Sequence, residues 1–247
     1  MDESGYIAHT RLFVECDLTG GGAVALSNDQ RHYLVNVMRF KLGQKLRVFN
    51  GRDGEWQASL DEVSKKTARL MVGKQTREQN SLPDVWYVFA PIKKTRLDFI
   101  VQKATELGAT ALLPVYTHHT DAQRINEKRL LANAIEAAEQ SERLCVPKIH
   151  EPQKLEKLIS QWPCERAMMF CDESLAGQSV RESIEGMEKN IPWAILVGPE
   201  GGFADSEREQ INALPTVKTV SLGPRVLRAD TAGLAALALW QSQIGDW

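Results

Sequence analysis

From Val85 to the C-terminal end, short apolar runs alternate with stretches of helical periodicity, and no other feature constrains the fold as tightly. Val85 to Ala90, Ala111 to Leu113, Ala167 to Cys171, Ala194 to Val197 and Val217 to Leu222 each have the length of a buried strand. Between them lie helical patterns. Residues 96–107 put Leu97, Ile100, Val101, Ala104 and Leu107 on one face and close on Gly108, where a helix can end in a left-handed turn. A long helix is predicted from about Asn126 to Arg143, and a last one from about Asp230 to Gln243. Uniformly apolar strands separated by helices predict an α/β domain whose largely parallel sheet is covered on both faces.

Residues 1–72 have a different rhythm. Lys45 to Phe49 and Ala68 to Val72 place apolar side chains at a period of two, as half-buried strands do. Asn50-Gly51-Arg52-Asp53-Gly54 carries hairpin chemistry, because Asn and Gly tolerate positive φ. One helix interrupts, capped near Ser27-Asn28-Asp29 and running through His32 to Met38. Small strands plus one helix predict a compact β-barrel domain over 1–72. The boundary falls near residues 73–84, and the α/β domain occupies 73–247.

Several function classes are excluded early. No apolar run is long enough to cross a bilayer. The N-terminal MDESGYIAHTRLF lacks the basic flank and apolar core of a secretory signal, so a cytoplasmic protein is expected. Cys16, Cys145, Cys164 and Cys171 are scattered without a CxxC pair, which predicts reduced thiols rather than zinc or a disulfide framework. His118 and His119 are adjacent, so their side chains are expected to diverge, and no metal site is predicted. The net charge of −2 argues against a wholesale polyanion binder, although the first 80 residues carry a mild basic excess suited to a phosphate-contacting module.

In open α/β sheets, ligands sit beyond the carboxyl ends of the strands. Three loops here hold that position: Asp172-Glu173-Ser174, Gly198-Pro199-Glu200-Gly201-Gly202-Phe203, and Gly223-Pro224-Arg225-Val226-Leu227-Arg228. The second has three glycines in five residues, which permits close backbone approach to a ligand. It is not GxGxxG, and it lacks the GK[ST] of a phosphate-binding loop, which disfavours a nucleotide hydrolase. Taken alone, it is as compatible with an empty strand-to-helix turn as with a nucleotide site.

The GPEGGF loop and the LGPRVLRADTA segment after the next strand resemble the SPOUT class of methyltransferases. Within it they are most similar to the ribosomal RNA small subunit methyltransferase E family, which methylates N3 of a uridine in 16S ribosomal RNA. Arg11-Leu12-Phe13, His32-Tyr33-Leu34 and Val37-Met38-Arg39 resemble that family's PUA-like RNA-binding domain. Lys103-Ala104-Thr105-Glu106-Leu107-Gly108, then Glu139-Gln140-Ser141 with Arg143 and Pro147, follow in the family's order. The chain departs from it after Pro114, where the family often places Ser, Glu and Arg and this sequence reads Thr117-His118-His119.

The resemblance implies an α/β fold with a SPOUT-type parallel sheet tied in a trefoil knot, preceded by a small PUA-like β-barrel domain. It implies a homodimer, S-adenosylmethionine as cofactor, and 16S ribosomal RNA or the small subunit as partner, with no membrane and no metal. The cofactor pocket it implies uses Glu173, Leu196, Gly198, Gly201, Gly202, Leu222, Gly223, Leu227, Thr231 and Ala232. Among the three leucines, core packing is the competing role. The uridine imide must lose a proton, so a base and a cation that stabilises the anionic ring are required. Arg228 is the candidate cation and Glu200 the candidate base, with support of the glycine loop as the alternative role for Glu200. Arg11, Arg39 and Arg52 are candidates to position RNA through its backbone, and Arg225 to contact phosphate or a partner subunit. The rival functions are a SPOUT enzyme acting at another RNA site or on a ribose hydroxyl, and a non-catalytic RNA-binding ribosome-assembly protein.

Overall fold

The computed structural model describes residues 10–92, 94–121, 125–174 and 177–247; most of the MDESGYIAHTRLF stretch lies outside them. The chain divides into two compact units. One holds residues up to Ser81 together with Ala138–Val146, and the other holds Leu82–Ala137 and Pro147–Trp247.

The first unit is a five-stranded sheet of β1 (Arg11–Phe13), β2 (Ala23–Ala25), β3 (Lys45–Phe49), β4 (Glu55–Val63) and β5 (Ala68–Arg77), in the order β1-β3-β4-β5-β2. Only the β1–β3 pairing is parallel, and the path leaves β1 and β2 as its two edges. The hairpin between β3 and β4 forms as its residues dictate. Asn50 Oδ1 accepts the N–H groups of Arg52 and Asp53, and Gly51 and Gly54 take φ of 81° and 77°. Alternation in β3 and β5 turns Leu46, Val48, Leu70 and Val72 into one core with Leu12, Leu34 and Leu60.

The expected helix begins where predicted, with a reciprocal capping box. Ser27 Oγ accepts the Gln30 N–H, and Gln30 Oε1 accepts the Ser27 N–H. It differs afterwards: α1 (Asn28–Arg31) continues as a π-helical turn, His32–Val37, in which the Met38 N–H reaches Tyr33 O. This turn buries only Leu34 and leaves Tyr33, Val37 and Met38 exposed.

The segment 138–146 was not expected in this unit. Arg11 holds it there, and so departs from its predicted role as an RNA contact. The Arg11 side chain is 1% exposed and its Nε donates to Glu55 at 2.7 Å. Its Nη1 donates to the carbonyls of Ala138 and Glu139, and Nη2 to that of Arg143. Glu139 in turn accepts the Phe13 N–H. A guanidinium committed in this way has nothing left for a phosphate.

The second unit begins with β6 (Val85–Phe89), α2 (Lys94–Glu106), β7 (Ala111–Tyr116) and α3 (Glu127–Gln140), whose residues from Ala138 onward belong to the first unit. It continues with β8 (Lys148–Ile149), β9 (Gln153–Lys154), α4 (Leu155–Ser160), β10 (Ala167–Cys171), β11 (Gln178–Ser179) and α5 (Val180–Ile184). Then come β12 (Trp193–Val197), α6 (Asp205–Asn212), β13 (Val217–Ser221) and α7 (Ala229–Gln243). The sheet runs β11-β13-β10-β12-β6-β7-β8, with β9 also on β7, and each of these pairings is parallel. Strands β10 and β12 are buried at every residue, the expected state of a sheet covered on both faces. Strand β7 extends through Pro114, which has no N–H to give. It is tolerated because β7 pairs with β8 at 111–112 and with β9 at 115–116, leaving position 114 between the two partners.

Candidate active site

Strand order brings three loops together. Strand β10 lies between β12 and β13, and because all three run parallel, the loops after them emerge at one sheet edge. They enclose a cavity of about 430 Å³, within the usual range for small-molecule sites. Its lining comprises Arg96, Cys171–Glu173, Val197–Glu200, Leu222, Arg225–Ala229 and Ala232.

Of the predicted cofactor residues, Glu173, Gly198, Leu222, Leu227 and Ala232 line this cavity. Leu196 does not: it is fully buried among Met168, Phe170, Ala194 and Phe203, and its strand is paired on both sides with β10 and β6. Core packing, the competing role, is the one it has. Gly201, Gly202, Gly223 and Thr231 also lie outside the lining. Gly202 and Gly223 shape turns at φ of 70° and 106°, where a side chain is strained. Gly201 faces His119, and exposed Thr231 has its N–H and hydroxyl on Asp230. Both catalytic candidates, Glu200 and Arg228, line the cavity, as does Arg225.

An arginine missed in the sequence organises one wall. Arg208 on α6 donates to Asp172 at 3.2 Å and to Glu173, whose Oε1 also accepts the Phe203 N–H at 3.1 Å. Burial alone would raise the Asp172 carboxyl. The hydroxyl and N–H of Ser174, then Arg208, outweigh that and hold it below its ordinary value. The folded-state value is therefore depressed. Stability from these bonds is complete above the ordinary aspartate value of about 4 and is lost as pH falls through the lowered folded value. Asp172→Asn is accordingly expected to lower the thermal midpoint at neutral pH, with the gap to wild type closing in acid. Melting curves across the acid range check this, and a gap independent of pH would contradict it. Burial pushes the Cys171 thiol up to about 12, so at neutral pH it is protonated and no nucleophile.

A second buried acid ties the neighbouring loop down. Glu207, 7% exposed, accepts the N–H of Ala204 at the start of α6 and that of His118 beyond β7. The two histidines do not diverge: their rings meet edge to face at 4.9 Å, and His119 Nδ1 lies 3.2 Å from Gly202 O. Among the described residues, no cluster of His, Cys, Asp or Glu has the composition of a metal site. In the first unit, Arg52 is exposed and paired with Asp17 at 2.8 Å, while Arg39 is exposed in a positive-φ turn at 56°.

A model of the RNA methyltransferase domain matches residues 78–241, and one of the RNA methyltransferase PUA domain matches residues 26–70. The Rickettsia conorii ribosomal RNA small subunit methyltransferase E is 30% identical over 231 residues, covering 93% of this chain and 94% of that one. This chain belongs to the ribosomal RNA small subunit methyltransferase E family. The Synechocystis member is 34% identical over 244 residues, covering 95% of this chain and 78% of its own. Among solved structures, the Neisseria gonorrhoeae family member bound to S-adenosylmethionine superposes with a TM-score of 0.83 at 26% identity, over 96% of this chain and 99% of that one. A Legionella pneumophila methyltransferase solved with its bound cofactor gives 0.87 at 26% identity, over 98% and 100%. The PUA-domain match falls within the first unit, and the RNA methyltransferase match covers most of the second together with residues 138–146 of the first.

Proposed function

We propose that the protein transfers a methyl group from S-adenosylmethionine to N3 of a uridine in 16S ribosomal RNA. The observation that carries this is the single cavity at the ends of β10, β12 and β13, which combines apolar lining with arginines and a carboxylate. The residues fit the methyl donor. Leu222, Leu227 and Ala232 offer apolar contact for a purine ring, and Glu173 offers an acceptor for polar N–H or O–H groups. Gly198 keeps the loop backbone at the cavity wall by packing closely on Phe203, whose ring a Cβ there would meet at 2.5 Å. When bound, S-adenosylmethionine supplies a methyl group on a sulfonium, which needs orientation rather than chemical activation.

The work left to the protein is the acceptor's proton. Glu200 receives the N3 proton of the uracil imide, and Arg228 stabilises the charge that develops on the ring oxygens. Arg228→Ala and Glu200→Gln are each expected to lower turnover on unmethylated 16S ribosomal RNA by about 100-fold or more. Calorimetric affinity for S-adenosylmethionine should stay near wild type. Wild-type turnover in either variant removes that residue's role, and mass spectrometry of the digested RNA locates the methyl group.

Arg39 and Arg52 in the PUA-like domain, and Arg225 at the cavity, are assigned to RNA phosphates. The knot implied by the resemblance is supported by the strand order, in which the chain crosses from β12 past β10 to β13 and returns residues 225–229 to the same cavity. A homodimer is supported by the exposed Phe99, Leu131 and Leu239 on α2, α3 and α7, and light scattering reads its mass. A ribosomal substrate supports a cytoplasmic location. Among the described residues, no helix is long and apolar enough to cross a membrane.

A further inference from the structure

Arg96 belongs to none of the motifs, yet it lines the cavity and reaches one acid in the glycine loop and another in the first turn of α7. It lies in the first turn of α2, and because β6 neighbours β12, the start of that helix falls beside the glycine loop. Its Nη1 donates to Glu200 Oε1 at 2.6 Å, and its Nε lies 3.8 Å from Asp230 Oδ2 in the first turn of α7. One guanidinium thus joins an acid of the GPEGG loop to an acid beyond LGPR. The Arg96 side chain is 35% exposed and that of Glu200 58%, so as a plain surface pair it would add little to stability. Its position at the cavity makes a different contribution possible.

We propose that Arg96 is a positioning residue that aims Glu200 at the imide N–H of the acceptor, so that the site reads uridine over cytidine. Arg96 holds Oε1 and leaves Oε2 to accept from the ring. Uracil presents an N–H at N3. Cytosine presents a lone pair there, which faces the carboxylate acceptor to acceptor and leaves it unpaired. In the reaction the N3–H bond breaks and the proton passes to Oε2, while the electron pair left on nitrogen forms the new bond to the methyl carbon as the carbon–sulfur bond breaks and its pair leaves with sulfur as a neutral thioether. Arg96 touches neither donor nor acceptor in this scheme and acts only through Glu200. The proposal rests on the uridine-N3 reading above.

The test uses the full-length protein with Arg96→Ala and Arg96→Lys. Arg96→Ala should lower kcat on unmethylated 16S ribosomal RNA by about 100-fold, the scale of a misplaced reacting group. Its melting temperature and S-adenosylmethionine affinity should stay near wild type. Its residual rate should climb with pH as hydroxide takes over the proton, and Arg96→Lys should recover part of the loss. The double variant Arg96→Ala/Glu200→Gln should be no slower than Glu200→Gln alone, because the two residues act as one unit. A readout independent of turnover is saturation-transfer NMR with uridine 5′-monophosphate against cytidine 5′-monophosphate. Wild type should favour the uridine nucleotide and Arg96→Ala should bind both alike. Wild-type kcat with an unchanged nucleotide preference in Arg96→Ala, or additive losses in the double variant, overturns the proposal. A wild-type protein that prefers the uridine nucleotide but methylates no 16S ribosomal RNA overturns the functional reading alone.

Discussion

Arg11→Ala is expected to lower the unfolding free energy of the PUA-like domain by about 3–5 kcal/mol, because it strands a buried carboxylate. Arg11 and Glu55 are each 1% exposed in their side chains, and the guanidinium sits 4.3 Å from the centre of the Phe49 ring. Burial pulls the Arg11 group below its usual value, and the Glu55 hydrogen bond and charge pull it back. Truncation leaves Glu55 with Arg47 at 3.4 Å and the Thr76 hydroxyl at 3.0 Å, too little to replace a direct buried pair. It also strips the carbonyls of Ala138, Glu139 and Arg143 of their donor, loosening segment 138–146. Urea denaturation measures the loss, and a variant within about 0.5 kcal/mol of wild type would show the pair to be dispensable. Arg11→Met/Glu55→Leu should regain part of it, since no charge is then buried alone. A defect of this kind is one of folding and leaves the chemistry of RNA recognition untouched.

The second large effect is expected at Gly198. A Cβ there meets the Phe203 ring at 2.5 Å, and Phe203 cannot give way because it is 2% exposed and packed edge to face on Phe170 at 5.0 Å. Something must move, and the loop is the less constrained partner. Overpacking of this kind costs about 1–3 kcal/mol, which converts to a loss of about 5- to 150-fold in affinity for S-adenosylmethionine when the loop shifts out of its binding shape. Gly202→Ala should behave similarly, since its Cβ would overlap the Glu173 carboxylate and φ is 70°. Gly201→Ala is the control: it faces His119 at 3.1 Å, outside the cavity lining, and its effect should be several-fold smaller. Calorimetry on the three variants checks the order. Equal losses at all three positions would mean that the loop tolerates no side chain for reasons other than these contacts.

Much of this was legible before any coordinates. The alternation from Val85 onward predicted β6, β10, β12 and β13 to within a residue or two; β6, β10 and β12 are apolar because both their faces are covered, whereas in β13 only Val220 is buried. Ser27-Asn28-Asp29 announced a helix start because an N-cap acts within four residues, and Asn50 with its glycines announced a turn for the same local reason. The π-helical turn was not legible, since His32–Val37 differs from an α-helix only in which carbonyl each N–H selects. Arg11 was misread because an arginine near a basic chain start looks exposed until Glu55 and the distant carbonyls of 138–146 are brought to it. For Leu196 the sequence left cofactor contact and core packing open, and its side chain packs in the core because it lies one position inside the strand end.

The sequence by itself determined the longer strands and helices, the glycine turns at strand ends and, through two short motifs, the family, since each is read from residues close together in the chain. Only the tertiary structure decided which loops share a cavity. Parallel strands require long crossovers, so the neighbours of β10 are set by sheet order and not by proximity in sequence. That order brought Asp172, Glu200 and Arg228 together, carried Arg208 to Glu173, and set Arg96 against Glu200 across more than a hundred residues of chain.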